Sequence, residues 1–104
     1  GDLGTARGYV NALRTRANAS TIATLTADAT GANLILDERA KELHWEGHRR
    51  TDLIRFGKFS GGSYIWPWKG NVAGGAPTQA FRNLFPIPAT ALSSNSKLQQ
   101  NPGY

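Results

Sequence analysis

"HWEGHRRTDLIRFGKF", residues 44–59, is the stretch of this sequence that decides the fold. It combines two histidines, one tryptophan and three arginines with one glutamate and one aspartate. That composition fits four kinds of structure: a metal centre, a carboxylate-based active site, a polyanion-binding face, and an ion-paired structural helix. The residues on either side of the stretch are needed to decide between them.

The stretch lies in the second half of a long predicted helix, residues 31–56. Acidic residues stand toward the start of this helix and arginines toward its end, which is the order that favours the helix macrodipole. Asp37–Lys41 and Glu46–Arg50 are pairs four residues apart with the acid first, the more stabilising orientation. Apolar residues fall on two nearly opposite sides of the helix, so we expect it to be packed between two layers.

An amphipathic pattern predicts a first helix at residues 3–17. Leu3, Val10 and Leu13 recur at helical spacing, and Asp2 is placed to cap the first turn. Residues 57–104 contain all five prolines and two glycine pairs, so regular structure should be sparse there. The predicted fold class is therefore mainly α, with two main helices followed by a loop-rich, aromatic segment, in a chain long enough for one domain.

The charges are distributed unevenly along the chain. Residues 1–52 hold seven basic and seven acidic side chains, whereas residues 53–104 hold five basic side chains and no acidic one. A clustered basic excess attracts nucleic acid, but these five side chains are spread over more than forty residues. We therefore expect no nucleic-acid partner, and a basic nucleic-acid-binding module is a less favoured alternative.

The chain lacks cysteine, methionine and any long apolar run, and each absence bears on its chemistry or its origin. The chain has no cysteine, which excludes disulfides, thiol nucleophiles and thiolate metal sites. It also has no methionine and starts at Gly1, so we expect a processed chain or a piece of a longer protein. No apolar run reaches the ~18 residues that a transmembrane helix needs.

The metal and active-site interpretations find little support. His44 and His48 have the spacing that places two imidazoles on one helix face, but the zincin motif needs a glutamate where this chain has Trp45. Glutamates at every fourth position of residues 38–46 form a single stripe, whereas catalytic carboxylate pairs face each other across a cleft. No serine lies in a nucleophile-elbow pattern. We therefore predict no catalytic residue, no metal site and no cofactor.

The aromatic string "SYIWPWKGN", residues 63–71, is the remaining candidate for ligand binding. In an extended chain the alternating residues Tyr64, Trp66 and Trp68 face the same way and form a platform. Flat rings beside Lys69 and Asn71 suit sugar rings, through stacking and hydrogen bonds to hydroxyl groups. The alternative is that the rings pack on the arginine-rich helix by guanidinium–aromatic stacking.

Several strings together resemble the C-terminal part of the SusD/RagB family, and they follow one another in the family's order. They are "ILDERAKELHWEGHRRTDLIRFGKF", "YIWPWKGN", "NLFPIPATAL" and the terminal "LQQNPGY". The opening "ARGYVNALRTRA" is similar to the helix that precedes this block in the family. The resemblance covers nearly the whole chain.

The resemblance implies a fold, a function and a location. Members of this family are outer-membrane lipoproteins of Gram-negative bacteria with a predominantly helical, tetratricopeptide-like fold. They bind oligosaccharides or other nutrients at the cell surface and deliver them to a SusC-like TonB-dependent transporter, and they are not enzymes. Residues 1–104 would then be the C-terminal segment of such a domain, attached to the membrane only through a lipid anchor on an absent N-terminal region.

The resemblance also implies a role for the opening stretch. The residues that match the family's signature string would form a scaffold, an ion-pair and hydrogen-bond network between helix and loops: Glu46, His48, Arg49, Arg50, Asp52 and Arg55. The family's ligand contacts lie largely upstream and vary with the substrate, so the resemblance assigns no sugar contact to residues 64–71. Two functions therefore remain open for this chain, a glycan- or nutrient-binding module and a purely structural segment without ligand contact.

Overall fold

Four α-helices form the regular part of the structure, a computed structural model that describes all residues, 1–104. They are α1 (Leu3–Arg16), α2 (Ala29–Glu42), α3 (Arg49–Arg55) and α4 (Ala89–Ser94), with short 3-10 turns at Lys69–Asn71 and Ala80–Asn83. There is no β-strand, only one isolated antiparallel bridge between Gly61 and Thr78. The predicted fold class, mainly α, is confirmed. None of the helices is both long enough and apolar enough to cross a membrane.

The chain divides into two units, Gly1–Phe56 and Gly57–Tyr104. In the first unit, α1 and α2 each begin at an aspartate that satisfies the free amides of the first turn. The Asp2 carboxylate accepts hydrogen bonds from the amides of Gly4 and Thr5, at 2.9 and 3.1 Å, as the sequence predicted. Asp28 does the same for α2, which therefore starts slightly earlier than predicted.

Apolar contacts and ion pairs hold α1 against α2. Val10 of α1 and Leu36 of α2 are buried, and Leu36 is fully excluded from solvent. At the edge of this contact, Arg14 pairs with Glu38, and Arg16 pairs with Glu42. These pairs join elements that are far apart in the sequence, so they fix the register of the two helices.

The long helix predicted over residues 31–56 is wrong in one respect, because the chain turns between Leu43 and His48 and forms two helices. Trp45 and Gly47 adopt left-handed backbone conformations, with φ of 66° and 78°, and such conformations end an α-helix. The turn lets α3 fold back toward α2. In one continuous helix, residues 39 and 52 would lie about 20 Å apart along the axis, whereas here their side chains are hydrogen-bonded.

The second unit is held together by hydrogen bonds of its backbone turns and by side chains that bind backbone groups. The Gln100 amide accepts from the Ile87 amide at 2.8 Å and donates to the Ile87 carbonyl at 2.9 Å, as a strand partner would. Asn101 donates to the Phe85 carbonyl, and the Tyr104 hydroxyl donates to the Leu84 carbonyl. Prolines on both sides of Ile87 cannot donate to a sheet ladder, so the C-terminal side chains replace one.

A close approach of backbone segments yields a first prediction. Gly31, in the first turn of α2, lies directly against the Thr26 carbonyl and leaves no room for a Cβ atom. We predict that Gly31→Ala lowers the free energy of unfolding by about 1–3 kcal/mol, because the helix or the connector must shift. Urea unfolding followed by circular dichroism measures this change.

The matched control for this prediction is Gly8→Ala in α1. A Cβ atom at Gly8 meets nothing within 4 Å, so this variant should be neutral or more stable by up to about 1 kcal/mol. Equal stabilities for the two variants would contradict the close approach of Gly31 to Thr26.

Candidate functional site

The centre of the signature stretch is a buried carboxylate, Asp52, which is 4% exposed. Its two oxygens receive Nε and Nη2 of Arg39, at 2.8 and 3.1 Å, in a bidentate pair. Nη2 of Arg55 donates to the same carboxylate at 2.7 Å. We call these three residues the Asp52 network.

The surroundings keep Asp52 ionised. The hydrogen bonds from Arg39 are the main reason that the pKa of Asp52 lies below its ordinary value of 3.8, while burial acts in the opposite direction. The positive charges of Arg39, Arg55 and His48 lower this pKa further. A carboxylate that stays ionised and is held by two guanidinium groups is not available to carry a proton, so the Asp52 network acts as a structural link between α2 and α3.

The other residues that the family resemblance assigned to the scaffold lie outside the Asp52 network. Arg49 donates to the backbone carbonyl of Leu36 at 2.9 Å, which ties α3 to α2 a second time. The His48 carbonyl accepts from the Thr51 hydroxyl at 2.8 Å, while its imidazole is exposed. Arg50 is half-buried, and Glu46 is exposed on the turn between the helices.

Arg39, the main partner of Asp52, was missed by the sequence reasoning. It lies in the string "DERA", where its charge was visible. On one continuous helix, however, it would be too far from Asp52 to be paired with it. Only the turn at residues 43–48 brings the two together.

Four other carboxylates of the first unit, those of Asp2, Asp28, Glu38 and Glu42, are used in helix capping and ion pairs. Glu38 pairs with Arg14 and Lys41, and Glu42 pairs with Arg16. No group of three histidine, aspartate or glutamate residues lies close enough to hold a metal ion. His44 precedes the turn and His48 follows it, so the two imidazoles do not share a helix face.

The predicted ligand-contact residues lie in a closed loop of the second unit, residues 61–78, which we call the aromatic loop. The Gly61 amide donates to the Thr78 carbonyl at 2.9 Å and closes the loop at its base. Inside it, the Ala76 amide donates to the Lys69 carbonyl at 2.8 Å, and the Gly75 amide donates to the Val72 carbonyl at 2.8 Å. These bonds give an ordered backbone to a segment without regular secondary structure.

The rings of the aromatic loop are partly exposed, and those of Tyr64 and Trp66 are not coplanar. Tyr64 and Trp66 meet edge to face, with ring centroids 5.8 Å apart. Trp68 has a φ of 67° and starts the 3-10 turn, so the chain is not extended there as the platform model assumed. Trp66 is 37% and Trp68 is 67% exposed, and Asn71 is exposed in the same turn.

Lys69 differs most from its predicted position, because it is only 4% exposed. Its ammonium group donates to the Tyr64 carbonyl at 2.9 Å and lies 4.8 Å from the centroid of the Trp66 ring. Burial lowers the pKa of Lys69 below its ordinary value of 10.5. The side chain therefore forms the interior of the aromatic loop and does not present its charge on the surface.

A further exposed ring, Trp45, lies outside the aromatic loop and was not predicted as a ligand contact. Its side chain is 93% exposed on the turn of the first unit and meets the ring of His44 edge to face. The left-handed conformation of Trp45 turns its side chain away from the interior. On the continuous helix predicted from the sequence, Trp45 would lie on a packed side, because the hydrophobic pattern did not indicate the turn.

The comparisons with known proteins agree on one family. The model of the SusD family matches residues 1–104, which is the whole chain. The Starch-binding protein SusD of Bacteroides thetaiotaomicron is 39% identical over 102 residues. That alignment covers 97% of this chain and 18% of the relative, so the chain spans about a fifth of the relative's length.

The Asp52 network yields a second prediction. Asp52→Asn keeps the shape of the side chain and removes the charge that holds both guanidinium groups. We predict a loss of about 1–3 kcal/mol in the free energy of unfolding at neutral pH, measured by urea unfolding. Glu46→Gln on the exposed turn is the control, and it should change stability by less than about 0.5 kcal/mol.

The pH dependence of this loss is a third prediction. Because the pKa of Asp52 in the folded chain lies below 3.8, its contribution is complete above that value and disappears as the pH falls toward the folded-state pKa. The stability difference between the wild type and Asp52→Asn should therefore shrink as the pH is lowered from about 5 to about 2. A constant difference over this range would show that the charge of Asp52 is not responsible.

Proposed function

Because this chain belongs to the SusD family, we propose that it contributes to glycan binding through the aromatic loop. The main observation in support of this proposal is that the indoles of Trp66 and Trp68 are exposed on a loop ordered by backbone hydrogen bonds. Indole faces stack on the apolar faces of sugar rings. A fixed ring also loses little conformational entropy when it binds.

The proposed contacts are Tyr64, Trp66, Trp68 and Asn71. Trp66 and Trp68 supply the stacking surfaces, and the exposed Asn71 amide supplies a donor and an acceptor for hydroxyl groups. None of these four contacts is an acidic or basic residue, and an uncharged set of contacts suits neutral sugars. The relative from Bacteroides thetaiotaomicron is a starch-binding protein, so α-linked glucose oligomers are the first ligands to test.

The longer protein would bind oligosaccharides at the outer membrane and deliver them to a SusC-like TonB-dependent transporter, without catalysing a reaction. Its lipid anchor and main contacts with the transporter would lie outside residues 1–104. The Asp52 network supports a structural role for the signature stretch, since it uses the buried acid of that stretch in the scaffold.

A second function, scaffold without ligand contact, is favoured by one specific observation. The C-terminal side chains bind the backbone carbonyls of Leu84, Phe85 and Ile87, and Arg49 binds that of Leu36. These contacts stabilise the chain and recognise nothing outside it. The two functions are separated by whether an exposed indole of the aromatic loop contacts sugar.

Calorimetric titration with maltooligosaccharides and a panel of neutral oligosaccharides tests the proposal. We predict that Trp66→Ala and Trp68→Ala each weaken the binding of the preferred sugar about tenfold, or about 1.4 kcal/mol. Trp45→Ala removes an equally large exposed ring outside the aromatic loop and should leave the affinity unchanged.

The outcomes separate the two functions. No binding by a chain shown to be folded would favour the scaffold. Equal losses in all three variants would show that tryptophan removal acts through stability or through non-specific stacking, and the aromatic loop would then not be the site.

A further inference from the structure

Lys69 is a buried cation in a part of the chain that contains no acidic side chain. It is 4% exposed, and residues 53–104 hold no aspartate or glutamate. Buried lysines are ordinarily paired with a carboxylate. Here the ammonium group instead has the Tyr64 carbonyl at 2.9 Å and the Trp66 ring at 4.8 Å as its partners.

The backbone of Lys69 joins the same parts of the aromatic loop as its side chain. The Lys69 amide donates to the Trp66 carbonyl at 3.1 Å, and the Lys69 carbonyl accepts from the Ala76 amide at 2.8 Å. Side chain and backbone together therefore connect Lys69 to Tyr64, Trp66 and Ala76.

The charge of Lys69 does not increase the stability of the loop by itself. Burial of an ammonium group costs free energy, and the lowered pKa of Lys69 reflects this cost. The unfolded chain then holds the proton more tightly than the folded one, so this group's contribution to stability rises as the pH rises through the folded-state pKa. An apolar side chain of similar length would fill the same space without the desolvation cost of the ammonium group. It would lack the attraction between the cation and the Trp66 ring.

We propose that Lys69 is a positioning residue that fixes the direction of the Trp66 indole from inside the aromatic loop. The ammonium group is anchored on the Tyr64 carbonyl and attracts the ring, so the exposed part of Trp66 keeps one orientation. Lys69 then promotes sugar binding without contacting sugar. The effect on affinity rests on the proposed function, whereas the effect on the ring does not.

The test uses Trp66 as the only fluorophore of its kind. The chain has three tryptophans, so Trp45→Phe with Trp68→Phe leaves Trp66 alone for time-resolved fluorescence anisotropy. In this background we expect Lys69→Met to increase the amplitude of subnanosecond depolarisation at least twofold, because the released ring moves on that timescale. Lys97→Met removes an exposed lysine of the same unit and should leave the decay unchanged.

Thermal unfolding separates ring motion from loss of structure. We expect Lys69→Met to keep or raise Tm while the ring becomes mobile, a combination that a merely structural role does not produce. A folded Lys69→Met protein with an unchanged anisotropy decay overturns the inference. If Lys69→Met does not fold, Lys69→Arg decides, since it keeps the cation: a fixed Trp66 ring supports the inference and a mobile ring overturns it.

Calorimetric sugar titration in the otherwise wild-type chain distinguishes this inference from the proposed function. We expect Lys69→Met to weaken the affinity about fivefold, and Lys97→Met to leave it unchanged. If the wild type binds no sugar, the proposed function fails, and the anisotropy result still decides whether Lys69 fixes the ring. If the wild type binds sugar and Lys69→Met binds it equally well, the role of Lys69 in binding is excluded while the site itself stands.

Discussion

The pairing of Asp52 with Arg39 is the constraint on which the first unit depends. The two residues are thirteen positions apart, and their bidentate contact exists only because the chain reverses between α2 and α3. The reversal requires left-handed backbone at Trp45, which costs about 1–3 kcal/mol for a residue that is not glycine. The buried pair, the Arg55 bond and the Arg49 bond to the Leu36 carbonyl offset this cost.

The second unit also depends on polar side chains that bind distant parts of the chain. Its prolines and glycines prevent a sheet or a long helix, so many backbone groups lack a partner of the ordinary kind. The Gln100 side chain accepts a hydrogen bond from the Ile87 amide. The side chains of Asn101 and Lys69 donate to the backbone carbonyls of Phe85 and Tyr64. In the second unit, polar side chains therefore supply hydrogen-bond partners that a sheet or helix would supply, and in the first unit they link helices around a small apolar core. Only four apolar side chains are buried, Val10, Leu25, Leu36 and Leu53.

The limits of sequence reasoning follow from the same contacts. The first helix could be predicted because its cap, Asp2, and its apolar stripe are local. The end of α2 near Leu43 could not be predicted, because the helical periodicity of the sequence continues through Gly47. The Arg39–Asp52 pair that stabilises the turn joins residues that are distant in the sequence. The candidate ligand contacts were predicted from residue type and alternating spacing, which treat a lysine as exposed. The burial of Lys69 depends on the closure of the aromatic loop between Gly61 and Thr78, which no short pattern encodes.

The division of polar and aromatic residues supports binding over catalysis. Of the carboxylates, Asp2 and Asp28 cap helices, and Glu38, Glu42 and Asp52 are in ion pairs. Hydrogen bonds lower the pKa of Asp2, Asp28 and Asp52 below the ordinary value of 3.8, so these three acids stay ionised. Three indoles are exposed, and those of Trp66 and Trp68 lie in the aromatic loop. Indoles supply stacking surface and no proton transfer, which agrees with the proposed role of the aromatic loop in sugar binding.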